Sequence, residues 1–174
     1  MKVISGILKG RNIEGYNIEG TRPTMDRVKE SIFSMIQNYI NDATVLDLFA
    51  GSGNYGIEAY SNGASTIYLN DANKKCLDII KKNLINFNGL DKFNLLCLDY
   101  MKCLNYLKDK NIKLDLVFLD PPYKMDVCKK IIDFLKENNM LNKKALVICE
   151  VTDYDLFKKV DKLTLIKNKK YGEK

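Results

Sequence analysis

The apolar run Leu116-Val117-Phe118-Leu119 ends abruptly in Asp120-Pro121-Pro122-Tyr123. Proline cannot continue a strand ladder, and two in succession hold the preceding residue extended, so the Asp120 carboxylate is fixed at a strand end. The loop then offers that carboxylate and a free proline carbonyl as acceptors, with a tyrosine ring beside them. An exocyclic amino group on an aromatic ring needs that set: two acceptors for its two N–H bonds and a flat surface for the ring. Stacking a base on such a ring contributes about 1–3 kcal/mol. A turn that merely ends a strand has little use for a double proline.

A second cluster lies upstream, where Val45-Leu46-Asp47-Leu48-Phe49-Ala50 runs into Gly51-Ser52-Gly53-Asn54-Tyr55-Gly56. Gly51, Gly53 and Gly56 satisfy Gly-x-Gly-x-x-Gly, which permits a tight turn between strand and helix and close approach of a ligand to backbone. By itself the pattern also fits a turn with no ligand. Asp71 follows the next strand, in register to accept hydrogen bonds from both hydroxyls of a ribose; the plainer role for such a residue is a helix cap. Asp99, after the third strand, is placed either to accept from an adenine amino group or to make a turn. These positions suit any adenosine-bearing cofactor. Asp47 separates the candidates, because a carboxylate just before the glycine turn repels a pyrophosphate but can hold the ammonium of a methionine moiety.

The chain has no histidine. That removes the usual general base and the commonest zinc ligand together, so Ser-His-Asp and Cys-His chemistry are excluded and a zinc site is not expected. Cys76, Cys97, Cys103, Cys128 and Cys149 show no Cys-x-x-Cys spacing, which fits reduced, mostly core thiols in a cytoplasmic protein. The opening Met1-Lys2-Val3-Ile4-Ser5-Gly6 lacks the apolar core of a signal peptide, and no apolar run approaches the roughly 18 residues of a membrane span. A formal net charge of +6 suggests a polyanionic partner without proving one. The arginines are more telling: Arg11, Arg22 and Arg27 all fall near the N-terminus. Arginine makes the bidentate phosphate contacts for which lysine is a poor substitute.

These groups need a frame. At 174 residues the chain is the size of one domain, with 46% hydrophobic and 29% charged residues. Apolar runs at Thr44–Phe49, Thr66–Asn70, Phe93–Leu98, Leu114–Leu119, Ala145–Glu150 and Leu163–Lys167 alternate with amphipathic stretches. This is the pattern of an α/β fold in which a mostly parallel sheet is covered by helices on both faces. The clearest helical stripe is Cys76, Ile79, Ile80, Leu84 and Phe87. Another, Val28, Ile32, Met35, Ile36 and Tyr39, follows Pro23 and Thr24, which are placed to start it. The glycine-spaced first 20 residues predict short strands and turns over the sheet's edge. Residues 1–40 thus read as an extension plus helix, and 41–174 as the core of a single domain.

The residues now carry a resemblance. Asp120-Pro121-Pro122-Tyr123 is similar to the Asp/Asn-Pro-Pro-Tyr/Phe motif of class I amino-methyltransferases, and Asp47-Leu48-Phe49-Ala50-Gly51-Ser52-Gly53 to their cofactor loop. Together with Thr21-Arg22-Pro23-Thr24-Met25-Asp26-Arg27-Val28-Lys29-Glu30, they resemble the bacterial 16S ribosomal RNA (guanine-N2)-methyltransferase family, over nearly the whole chain from Val3-Ile4-Ser5-Gly6 and Gly10-Arg11 to Tyr171-Gly172. The resemblance implies a Rossmann-like fold and transfer of a methyl group from S-adenosylmethionine to the N2 amino group of a guanine in small-subunit rRNA, without a metal. It implies cofactor contacts from Asp47, Phe49, Gly51, Gly53, Asp71 and Asp99, and catalysis by Asp120, Pro121, Pro122 and Tyr123. Arg11, Arg22, Arg27 and Lys29 are expected to hold RNA, and the protein to work as a monomer away from membranes. The family usually continues past the Tyr-Gly pair into a final antiparallel strand. This sequence stops at Lys174, so that strand is expected to be missing.

Three other readings share these motifs. Adenine-N6 DNA methyltransferases also use Asp-Pro-Pro-Tyr, but they need a target-recognition region, and the segment between Gly53 and Asp120 is taken up by the sheet. A catalytically silent rRNA-binding assembly factor on the same fold would keep the basic N-terminus and could have lost the cofactor pocket. A methyltransferase acting on protein glutamine leaves the basic character without a role.

Overall fold

The computed structural model describes residues 1–15, 23–87, 90–122 and 127–150. Among these residues five strands, β1 (Thr44–Asp47), β2 (Thr66–Asn70), β3 (Phe93–Leu96), β4 (Leu114–Leu119) and β5 (Leu141–Cys149), form one sheet in the order β3-β2-β1-β4-β5. Every pairing in it is parallel. Among the described residues five α-helices connect and precede the strands: α1 (Pro23–Ile36), α2 (Asn54–Ser61), α3 (Lys74–Phe87), α4 (Tyr100–Asp109) and α5 (Cys128–Glu137). The expected α/β architecture is therefore present.

Side chains alternate across a strand, and the two faces are covered by different helices. Val45, Ile67, Leu69, Leu116 and Phe118 pack with Phe33 of α1, Ile57 of α2 and Ile80 and Leu84 of α3. Leu46, Val117 and Leu119 pack on the other face with Leu104 and Leu107 of α4 and Ile131 and Leu135 of α5. Continuous apolar runs in β1 and β4 follow from burial on both faces. Of the thiols, Cys76, Cys103 and Cys128 are buried, Cys149 is half-buried and Cys97 exposed.

Several expectations need adjustment. The α1 stripe centres on Phe33 and Ile36, while Tyr39 falls in a 3-10 turn beyond the helix and is exposed. β5 starts earlier than Ala145, because Leu141 already pairs with Leu114; the register then shifts before Leu146 meets Leu116, and Lys144 takes a left-handed conformation there. Of the first 20 residues, 1–15 are described, and among these one antiparallel bridge, Lys2 with Asn12, is formed rather than several strands. This segment docks on α2 and α3: Ile7 and Leu8 donate backbone N–H bonds to the Ser61 carbonyl and hydroxyl, and Glu14 donates to Asn83. Val3, Leu8 and Ile13 supply its apolar side to the core. The expected strand Leu163–Lys167, the Tyr171-Gly172 pair and the expected loss of a final strand lie outside the described residues. Among the described residues, no helix is long and apolar enough to cross a membrane.

Candidate active site at the carboxyl edge of the sheet

In a parallel sheet, neighbouring connections leave in opposite directions where the strand order reverses, opening a crevice at the carboxyl ends of those strands. Here that point lies between β1 and β4. Asp47 is the last residue of β1, pairing in register with Phe118, and Asp120 immediately follows β4. The sheet topology thus brings the two residues with the most informative sequence contexts to one crevice.

The turn after β1 is held by backbone bonds: Ala50 N–H donates to the Asn70 carbonyl at 2.8 Å and Gly53 N–H to the Ala50 carbonyl at 2.7 Å. Gly51 and Gly53 have φ of 55° and 80°, left-handed values that other residues adopt only with strain. A Cβ added at Gly51 would meet nothing within 4 Å, so open space lies over the turn. At Gly56 it would stand 2.2 Å from Leu69 Cδ2, so this glycine lets α2 pack closely on β2.

Three carboxylates gather here, Asp47 feeling the charges of Asp120 and Asp71, while Asp99 lies beyond β3 at the start of α4. Asp47 is buried, and its Oδ2 accepts from Gly56 N–H at 3.3 Å. Burial pushes its carboxyl up to about 7 against the opposing pull of that hydrogen bond, with the charges of Asp120 and Asp71 adding to the rise. Asp71 accepts from Gly51 N–H at 2.9 Å with Oδ2 and from Asn73 N–H at 2.8 Å with Oδ1, so it anchors the glycine turn and also starts the run into α3. Asp120 is accessible at the edge, yet crowding by its surroundings, reinforced by the charge of Glu150, holds its carboxyl up at about 7. Asp99 caps α4, its Oδ1 accepting from Met101 N–H at 2.9 Å. The turn role of Asp99 is thus present in the fold, through Oδ1. Phe49, half-buried beside the turn, stands 5.9 Å from the ring of Tyr100.

Three contributions have no clear sequence signal. Glu150 donates its backbone N–H to the Leu119 carbonyl at 2.9 Å and so ends beside Asp120. Its own carboxyl is also raised by burial. The buried amide of Asn70 clasps the ends of β1 and β3, donating to the carbonyls of Leu48 and Leu98 and accepting from Leu98 N–H. A short apolar run ending in Asn is the only hint of it. Phe33, Tyr55 and Phe118 form an aromatic stack, with Tyr55 and Phe118 centroids 5.1 Å apart, which packs α1 against the floor of the crevice.

Arg11 and Arg27 are exposed, whereas Arg22 and Tyr123 lie outside the described residues. Lys29 is a correction. It is completely buried, and its ammonium lies 2.8 Å from the Glu58 carboxylate, so it cannot reach an RNA phosphate. A cation at that depth requires a paired anion, and Glu58 provides it.

The donor set distinguishes among ligands. Acceptors dominate the crevice, which suits ammonium, hydroxyl and amino groups and opposes a pyrophosphate. The open space over Gly51 and the acidic surroundings fit S-adenosylmethionine, a cation carrying a ribose and an adenine. Asp47, Asp71 and the Gly51 turn are the candidate residues to hold it. No group of three or more residues with metal-ligand side chains occurs among the described residues.

The family described as conserved hypothetical protein 95 matches residues 1–174. "Ribosomal RNA small subunit methyltransferase D" of Haemophilus influenzae is 34% identical over 176 residues, covering 99% of this chain and 89% of its own. A solved structure of a conserved hypothetical protein from Streptococcus pyogenes superposes with a TM-score of 0.76 at 38% identity, covering 83% of this chain and 89% of that one. A S-adenosylmethionine-dependent methyltransferase from Agrobacterium tumefaciens shares the fold, with a TM-score of 0.62 at 22% identity over 75% of this chain and 45% of its own. The sheet and its helices have the class I methyltransferase fold.

Proposed function

The chain belongs to the conserved hypothetical protein 95 family, and from that premise we propose that it transfers a methyl group from S-adenosylmethionine to the exocyclic N2 amino group of a guanine in 16S rRNA. One observation carries the reading: Asp47 and Asp120 end adjacent parallel strands at the reversal of strand order, beside a glycine turn with open space above it.

S-adenosylmethionine supplies an electrophilic methyl group on a sulfonium. Around it, Asp47 holds the ammonium, Asp71 the ribose hydroxyls and Asp99 the adenine amino group, while Phe49 offers an apolar face and Gly51 and Gly53 let the backbone come close. Asp120 and the Pro121 carbonyl accept the two N–H bonds of the target amino group, with Pro122 fixing the loop and Tyr123 stacking on the base. This alignment turns the nitrogen lone pair out of conjugation with the ring and toward the methyl group. Positioning of this kind can supply on the order of 7–11 kcal/mol. The amino N–H becomes acidic as the nitrogen is alkylated, and a carboxylate held at about 7 is a suitable acceptor for that proton. The base must be presented unpaired, at a cost of a few kcal/mol that stacking on Tyr123 partly offsets. Arg11, Arg22 and Arg27 hold the flanking phosphates, and the protein acts as a cytoplasmic monomer.

The test is to incubate labelled S-adenosylmethionine and the protein with unmodified small-subunit particles, naked rRNA and DNA, followed by nucleoside analysis. N2-methylguanosine from rRNA supports the proposal. N6-methyladenine from DNA overturns it, and so does failure to bind S-adenosylhomocysteine.

A further inference from the structure

An ammonium carries three protons, and three acceptors meet that of Lys29: Glu58 Oε2 at 2.8 Å, Asn54 Oδ1 at 2.8 Å and the Lys2 carbonyl at 2.7 Å. They come from two parts of the molecule, neither of them the helix that carries Lys29. Lys2 lies in the N-terminal segment; Asn54 directly follows Gly53 and begins α2; Glu58 lies one turn further along α2. The Glu58 carboxylate also accepts from the backbone N–H groups of Ile4 and Ser5 and from the Ser5 hydroxyl, at 2.8 to 3.1 Å. Both charged side chains are fully buried.

A buried ion pair is a poor device for stability alone, since apolar side chains of similar volume often hold a core as well or better. Its distinguishing property is geometric. Buried charges tolerate no missing partner, so the pair fixes the relative position of every segment that contributes an acceptor or donor. Here those segments are the N-terminal residues, α1 and the start of α2 at the glycine turn. Arg27 stands two residues before Lys29 on α1, and Arg11 pairs through its carbonyl with Val3 N–H in the same N-terminal segment.

Resting on the reading that the turn holds S-adenosylmethionine and the N-terminal segment holds RNA, we propose that Lys29 and Glu58 are positioning residues: through Asn54 they set the cofactor turn and couple it to the N-terminal segment, so that RNA and cofactor tighten each other's binding. RNA that immobilises the N-terminal segment or α1 removes freedom from the turn in advance, and the cofactor then loses less on binding. Such coupling is reciprocal.

Calorimetric titration of the full chain with S-adenosylhomocysteine, with and without a naked small-subunit rRNA fragment, tests this. Asn54→Ala cuts the link to the turn and leaves the ion pair in place; the double variant Lys29→Met with Glu58→Gln replaces the pair with neutral side chains of similar size. In the wild type, RNA should tighten S-adenosylhomocysteine binding by about fivefold or more. Asn54→Ala should lower the thermal midpoint, since the buried Lys29 ammonium loses one of its three acceptors, and should also weaken that binding and bring the RNA effect close to unity; the double variant should lose the RNA effect too. A purely structural role predicts lowered midpoints with S-adenosylhomocysteine affinity and its RNA dependence unchanged in both variants. That result overturns the proposal, as does a wild type whose affinity ignores RNA. A wild type that binds no S-adenosylhomocysteine is a separate outcome, which overturns the underlying reading of the turn.

Discussion

Asp47 and Asp120 stand at the ends of two neighbouring parallel strands, and the charge of Asp120 adds to the burial that already holds the Asp47 carboxyl up at about 7. The consequence for stability has a definite sign. The unfolded chain ionises Asp47 near 3.8 and the folded chain near 7, so between these values the unfolded state gives up its proton first. Asp47 therefore costs nothing below about pH 4 and subtracts increasingly from stability as pH rises toward 7. In the ligand-free protein, the thermal midpoint of Asp47→Asn should gain on wild type over that window. Binding of an ammonium favours the ionised carboxylate, so wild-type affinity for S-adenosylhomocysteine should climb toward pH 7 and level above it. Parallel midpoint profiles for the two proteins would remove Asp47 from this role.

Asp120 separates chemistry from cofactor binding. Because it reaches the crevice from β4 while the glycine turn and Asp71 belong to the other side, truncating it should spare the cofactor. Asp120→Ala should lower methyl transfer at least 10²-fold, the lower range for a positioned proton acceptor, with S-adenosylhomocysteine affinity changed only a few-fold. Single-turnover transfer and calorimetry measure the two separately. Wild-type turnover in this variant would end the catalytic assignment.

Asp71 should show the reverse pattern. Its carboxylate anchors Gly51 N–H at 2.9 Å and faces the expected ribose, and each charge-assisted bond contributes about 1.5–3 kcal/mol. Asp71→Ala should weaken S-adenosylhomocysteine binding by roughly ten- to a hundredfold. An unchanged dissociation constant would leave Asp71 as the anchor of the turn and nothing more.

The crevice was legible because its parts carry local signatures. A double proline ends β4, glycines bound the turn, and uninterrupted apolar runs mark strands buried on both faces, so Asp47 and Asp120 follow from strand ends and a topology rule. Lys29 was not legible for the complementary reason. Beside Arg27 and Glu30 it has the composition of a phosphate-binding surface, and only the packing of α1 against α2 reveals Glu58 as its partner. Side-chain periodicity tells which face of a helix is apolar but not which distant carboxylate meets a cation there. Glu150 and Asn70 escaped similarly, since both act through the lateral order of strands rather than through neighbours in sequence. The start of β5 was obscured by the register shift around Lys144, which interrupts the pattern that a regular strand would give.

Gly56 tests the frame rather than the chemistry. With Leu69 Cδ2 2.2 Å from an added Cβ, and Leu69 itself fully buried, Gly56→Ala forces α2 away from β2. Overpacking of this kind costs about 1–3 kcal/mol, which denaturant unfolding can measure. The same N–H bonds Asp47, so the displacement should also weaken S-adenosylhomocysteine binding. A variant as stable as wild type would mean that the helix has room the packing does not show.

Arg27 tests the RNA reading where Lys29 cannot. It is exposed on the first turns of α1, while Lys29 on the same helix is sealed by Glu58, so the two cations should respond differently to salt. Each phosphate contact releases counterions, and losing one should reduce the slope of log affinity against log salt by about one. Arg27→Ala should show that reduction with rRNA together with a raised KM for RNA, its S-adenosylhomocysteine affinity without RNA being unaltered. The double variant Lys29→Met with Glu58→Gln, which leaves no unpaired buried charge, should keep the wild-type salt slope, because no phosphate contact is lost. If instead Arg27→Ala keeps both the slope and the turnover of wild type, Arg27 does not hold RNA and the phosphate-binding role passes to other exposed cations.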